Sequence, residues 1–330
     1  MHNVESMFSV REVPWHGLGK VLKDAPTSKD AITEAGLDWL VIPRKVWVEV
    51  EPTQVEAGEP VIMHGESTTV LKLANEFVAN VRASDGSVLG IVSDEYRLVQ
   101  NWEAFEFTDS LVQDGIMRYE TAGSLRNGRI IWLLGRLSEH KTILNDKVEP
   151  YVLFMNTHDG TGSVRVLTTP VRVVCNNTLN LALNKATGGI GRSWSTIHTG
   201  NMQEKLAEAR RTLGLVNQFM LELEQFANTL VHIWISDDQW EDIVSDLLPI
   251  GENDSERRRE NIMVAREALV NRAYIHELRP YYNTGWACVN AVADFVAHYK
   301  PENSPSKFHR IVNGHPMLDR ATEMIMQLTV

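Results

Sequence analysis

The sequence predicts an α+β protein: an antiparallel-rich sheet with helices in the N-terminal body, then an all-helical C-terminal region. Three observations predict it. Three hairpin signals, each a turn dipeptide between apolar stretches, fall between residues 77 and 175. A helical stretch at 101–115 sits among them. After residue 200 apolar residues recur at steps of three and four instead of two. Consecutive hairpins favour an antiparallel sheet over a doubly wound parallel one. The change of period divides the chain into a body, 1–200, and a helical region, 201–330.

Taken in order, the stretch through PWHGLG at 14–19 reads as a loop rich in turn residues. A short helix fits Ser28 to Leu37, with Ser28 as N-cap and Ala31, Ile32 and Leu37 as its apolar side. Val46, Val48 and Val50 then alternate with Trp47, Glu49 and Glu51, which is strand periodicity. The first hairpin turns at Asp85-Gly86, residues that tolerate positive φ. The helix 101–115 ends at Gly115. The second hairpin turns at Asn127-Gly128 and the third at Asp159-Gly160. From Met202 to Leu230 a stripe of Met202, Leu206, Ala209, Leu213, Val216, Met220, Leu223, Ala227 and Leu230 forms one helix face, with Asn201 and Glu204 as a capping box. Leu215, Phe219, Leu221 and Phe226 widen that face, so the helix suits packing on the body; a coiled-coil seam between copies is the alternative. Further helices fit 237–248, 254–273, 284–299 and 316–328.

Composition excludes several classes. The chain has 330 residues, 43% of them hydrophobic, enough for a sizeable core. No apolar run approaches the ~18 residues of a membrane span, and the start shows no basic-then-apolar leader. A soluble, cytoplasmic protein is the expectation, inside a host cell if the chain is phage-encoded. The two cysteines, Cys175 and Cys288, form no CxxC pair, so neither a disulfide framework nor a cysteine metal site is expected. Neither a cofactor nor a metal is expected on these grounds.

Charge is the most informative property. The net charge is -11, yet residues 160–203 contain no Asp or Glu while carrying Arg165, Arg172, Lys185 and Arg192. An acidic protein repels polyanions over most of its surface, and this ribbon is the exception. Within it Asn177, or its neighbour Asn176, suits the cap of a helix whose residues Leu179, Ala182, Leu183 and Ala186 face the core. Asn177, Asn180 and Asn184 share another side. A helix start with Arg172 ahead of it would attract an anion. In the functional reading, Arg165, Arg172, Lys185 and Arg192 hold phosphates, the asparagines bond polar edges and Trp194 stacks on a base. In the structural reading, Asn177 only caps, Trp194 is core and the arginines pair with carboxylates.

Other signals are thinner. His16 and the pair His309 and His315 have no metal-binding spacing. GGIG at 188–191 is neither a Walker loop nor a GxGxxG element. Cys175 with His16 or His198 is a nominal nucleophile pair, but its apolar neighbours suit a buried residue. The arginines at 257–259 suit a solvated helix face. No acid/base constellation emerges, so a non-enzymatic role is favoured.

PWHGLG at 14–19, AGLDW at 35–39, TPVRVVCNNTLNLAL at 169–183, STIHTGN at 195–201 and GWACVNAVADFVAH at 285–298 together resemble the phage/plasmid-like protein family. That family carries a domain of unknown function common in phages, plasmids and bacteria. The resemblance implies a place in DNA metabolism or in countering host defence, and it carries over no catalytic residue. The predicted arrangement is also similar to single-strand annealing proteins, which form rings or filaments and hold single-stranded DNA in a basic groove. The leading expectation is therefore an accessory protein of recombination or replication that forms homo-oligomers and binds single-stranded nucleic acid non-specifically. The alternatives are a protein-interaction module directed at a host defence or restriction system, and an enzyme acting on a phosphorylated small molecule at the Asn177 helix start.

Overall fold

A computed structural model describes residues 4–10, 19–63, 69–144, 146–172, 177–178, 193–201, 204, 216–299 and 315–328. The fold is α+β, with antiparallel-rich sheets and helices concentrated toward the C-terminus. Among the described residues there are two sheets. The larger contains β1 (Val4–Val10), β2 (Lys20–Leu22), β7 (Met117–Leu125), β8 (Ile130–Leu137), β9 (Lys141–Ile143), β10 (Asp146–Thr157), β11 (Val164–Arg172), β12 (Asn177–Thr178) and β13 (Ser193–Thr196). Its order is β12-β11-β10-β8-β7-β1-β2, with β13 also on β11 and β9 on β10. Among the described residues only the β1–β2 pair of this sheet is parallel. The smaller sheet comprises β3 (Val41–Val50), β4 (Val61–Met63), β5 (Val70–Arg82) and β6 (Val88–Ser93).

All three predicted hairpins form. β5–β6, β7–β8 and β10–β11 are antiparallel pairs, with Gly86, Gly128 and Gly160 at φ +75°, +80° and +74°. Positive φ costs glycine little, which is why these turns sit where they do. Asp159 adds an Asx turn, accepting from Thr161 N at 3.0 Å.

The helices are α1 (Ser28–Glu34), α2 (Asn101–Gln113), α3 (Val216–Val231), α4 (Asp237–Leu247), α5 (Glu256–Arg272), α6 (Gly285–His298) and α7 (Pro316–Gln327). The N-cap of α1 is Thr27, whose side chain accepts from Asp30 N, so Ser28 is already helical. Ser236 and Gln239 form a capping box on α4, and His315 caps α7. Asn201 Oδ1 accepts from Glu204 N at 3.4 Å, in keeping with the predicted box.

One core runs between a face of the large sheet and the helices. Phe8, Met117, Tyr119, Leu133, Val152, Phe154 and Val166 from the strands join Ala31, Phe105, Leu223, Trp240, Trp286 and Ile325 from the helices. Met220, Leu223, Ala227 and Leu230, from the described part of the long stripe, are all buried in this core. That stretch therefore packs on the body rather than on a second copy. The opposite face of the sheet carries a smaller cluster of Met7, Leu125, Trp132, Leu153, Met155 and Leu167. None of the described helices is long and apolar enough to cross a membrane.

One expectation about the strands is corrected. Residues 4–10, expected as loop, form β1, because their partner β7 lies more than a hundred residues along the chain and completes the sheet there. Asn177 lies in β12, opposite Arg172 on β11, so its backbone joins the ladder of the large sheet; residues 179–186, where the helix after it is expected, lie outside the described residues.

The two sheets touch at Gly90 of β6, where an added Cβ would land on Asp159 Cα. Gly90→Ala is expected to force the sheets apart and cost about 1–3 kcal/mol, as overpacking does. A urea denaturation curve with an unshifted midpoint would contradict this packing.

Candidate functional site

The candidate site begins with strand register. The Asn127-Gly128 turn pairs Arg118 of β7 with Arg136 of β8 across the ladder. β10 lies on the other side of β8 and brings Tyr151 opposite Arg136. Continuing toward the same sheet end, β10 supplies Glu149 and Lys147. Arg118, Arg136, Lys147 and Glu149, together with Leu137, Ser138 and His140, line a cleft of about 210 Å³.

Within it the charges are tightly arranged. Arg136 Nε pairs with Glu120 at 2.9 Å, and its Nη1 with Glu149 at 3.2 Å. Lys147 Nζ reaches Glu149 at 2.7 Å. Burial alone would raise the Glu149 carboxyl, but hydrogen bonds from Lys147 and Arg136 outweigh it and hold the pKa below the usual carboxylate range. Burial likewise opposes the charge on Arg136, and Glu120 and Glu149 more than offset it, so that guanidinium is held charged. Arg118 is exposed, and neither it nor His140 forms an ion pair with a described residue. Three permanent cations thus face two carboxylates, with a histidine beside them. Chemically the arrangement suits an anion held by several N–H donors.

A second polar cluster is buried where the two sheets meet. His158, fully buried, lies just past the end of β10. Its Nε2 is 2.9 Å from Asn101 Oδ1. Asn101 Nδ2 donates to Leu37 O at 3.1 Å, which fixes the amide and makes His158 Nε2 the donor. His158 Nδ1 then holds a buried lone pair with no partner. Burial pushes this histidine down to about 3, with His198 and Arg82 adding to the shift. Beside it, His198 stacks on Tyr96 at 4.3 Å and bonds Arg97 O at 2.9 Å. Arg82 holds Glu5 with both terminal nitrogens, at 2.7 and 2.9 Å, donates to Asn127 O at 2.8 Å and covers Trp39 at 4.6 Å. These links run between elements, so the cluster ties the small sheet to the large one.

The residues expected from sequence are placed as follows. Arg165 lies on β11 opposite Met155, half-buried, with its Nε 3.4 Å from Ser163 Oγ. Arg172 is seven positions further, opposite Val148, with the register between them uninterrupted. That separation is about 23 Å along a strand, and an odd step puts the two positions on opposite faces. Arg172 and Asn177 pair with each other at the sheet end that carries Lys147 and Glu149, but Arg172 stands opposite the core residue Val148, so its position is on the face away from the cleft. Trp194 pairs with Val166 and is half-buried against the main core, on the face away from Arg165. Asn180, Asn184, Lys185 and Arg192 lie outside the described residues, as do Cys175, His16 and His309.

Arg118, Arg136, His140 and Lys147 were not singled out from sequence. A hairpin pairs residues at a nearly constant sum of positions, so the Asn127-Gly128 turn already brought Arg118 level with Arg136. Lys147 needed the β8–β10 pairing, which no local turn announces. The arginines at 257–259 turn out to be partly structural. Arg258 pairs with Asp254 at 2.7 Å, and Arg259 bonds the carbonyls of Gly251, Glu252 and Asp254. Cys288 is buried, and burial pushes its thiol up to about 12, which makes it an unsuitable nucleophile. Among the described residues no group of three or more His, Cys, Asp or Glu is placed to hold a metal.

A family model described as a domain of unknown function, DUF932, matches residues 88–323. This range contains the cleft, His158 and helices α2 to α6. No curated protein and no solved structure matches the chain.

Proposed function

We propose, from the premise that this chain belongs to the DUF932 family, that it binds single-stranded nucleic acid non-specifically through backbone phosphates at the β7–β8–β10 cleft. The observation that carries this reading is the convergence of Arg118, Arg136, His140 and Lys147 in a protein of net charge -11. A cation cluster in an acidic molecule is where a polyanion can approach. The acid-free 160–203 ribbon supports the same reading as a second local excess of positive charge in an acidic chain. The resemblance to phage and plasmid proteins supports an accessory role in recombination or replication in the host cytoplasm, with homo-oligomers spread along the strand.

Fluorescence anisotropy with a labelled single-stranded oligonucleotide tests this. Binding in the micromolar range at low salt is expected, weakening steeply as salt rises. Arg118→Ala is expected to weaken it several-fold and to lower the log–log salt slope by about 0.7, the value of one lost phosphate contact. No binding at micromolar protein overturns the reading.

A protein partner, such as a component of host defence, is the second reading. The outer side of the small sheet favours it: Phe77, Val88 and Ile91 share that side through the β5–β6 register and are 47%, 54% and 58% exposed.

A further inference from the structure

Glu149 sits among the cleft's cations as a bound anion would. Its carboxylate oxygens accept from Arg136 Nη1 at 3.3 and 3.2 Å, and one accepts from Lys147 Nζ at 2.7 Å. The residue is only 9% exposed, although it stands on the sheet face away from the main core. A structural ion pair would be complete with Arg136 and Lys147. Yet Arg118 and His140 line the same cleft without a carboxylate of their own among the described residues.

We propose that the Glu149 position is a phosphate seat, and that the Glu149 carboxylate is an internal stand-in which a phosphate group must displace. This rests on the reading of the cleft as a phosphate site. The charge count agrees with it: Arg118, Arg136 and Lys147 against Glu120 leave room for a dianion once Glu149 swings out. A planar guanidinium suits two oxygens of a phosphate as well as two of a carboxylate. The group recognised is the phosphate itself, from a nucleic-acid strand or free in solution.

Glu149→Gln removes the competing charge and keeps the volume. It is expected to bind inorganic pyrophosphate, measured by calorimetry, and a single-stranded oligonucleotide, measured by anisotropy, about tenfold more tightly than wild type at low salt. Lys147→Met, at an exposed position, is expected to lower pyrophosphate affinity about tenfold. Tight pyrophosphate binding by Glu149→Gln with no oligonucleotide binding by either protein keeps the seat and removes the nucleic-acid reading. Equal oligonucleotide binding by both proteins keeps that reading and overturns the seat. If Glu149→Gln does not fold, Lys147→Met decides, and an unchanged pyrophosphate affinity overturns the proposal.

Discussion

Acidification is expected to destabilise this protein through His158 well before its carboxylates protonate. The folded-state pKa is pushed down to about 3 by burial, with His198 and Arg82 contributing. Unfolded, the ring titrates near 6.5. The fold thus favours the neutral imidazole. Its contribution is complete above about pH 6.5 and is lost as the pH falls from there toward 3. At about 1.4 kcal/mol per pH unit the loss reaches roughly 3 kcal/mol by pH 4.5. Geometry gives the reason. The ring donates to Asn101 Oδ1, and the buried Nδ1 has no acceptor to receive a second proton's bond. Urea denaturation from pH 7.5 to 4.5 measures this. His158→Gln retains a donor for Asn101 but does not titrate, so it should be less stable than wild type at pH 7.5 and show a shallower decline below 6.5. Parallel declines in the two proteins would show that His158 is not the titrating group. Below about pH 4.5 a second loss is expected as Glu149, whose folded pKa is depressed, takes up a proton.

Replacing Arg82 with Met is expected to cost about 3 kcal/mol or more, because it leaves groups that were arranged around a largely buried guanidinium. Glu5 loses a bidentate partner, Asn127 O loses its donor and Trp39 loses the cation over its ring. The arginine is 7% exposed, and Gly128 makes room for it: a Cβ at Gly128 would meet Arg82 Nη2. Arg82→Lys should recover only part of the loss, since one ammonium cannot serve two carboxylate oxygens and a carbonyl in a plane. Thermal melts of the two variants measure the difference. Equal melting temperatures for Arg82→Lys and wild type would remove the argument from guanidinium shape.

Much of the local structure was legible beforehand because it depends on local chemistry. Asp85-Gly86, Asn127-Gly128 and Asp159-Gly160 turn wherever they occur between alternating strands, since glycine takes positive φ without strain. Ser236 caps its helix through an amide three residues away. The four helices expected after residue 236 appear within two residues of their expected ends. The helix expected after Asn177 lies outside the described residues; Asn177 and Thr178 themselves pair with β11. β1 was invisible because its hydrogen bonds go to β7, far along the chain.

The candidate site divides in the same way. Composition alone established that the molecule is acidic and that one ribbon lacks carboxylates, since charge is additive along a chain and needs no fold. Three hairpins and a run of C-terminal helices were equally determined by period and turn chemistry. Tertiary structure alone decided that Lys147 and Glu149 come beside Arg136, that Arg165 and Arg172 fall on opposite faces, and that Trp194 turns toward the core. Each of these depends on strand pairing and register. A single residue of slip would move every side chain on a strand to the other face of the sheet.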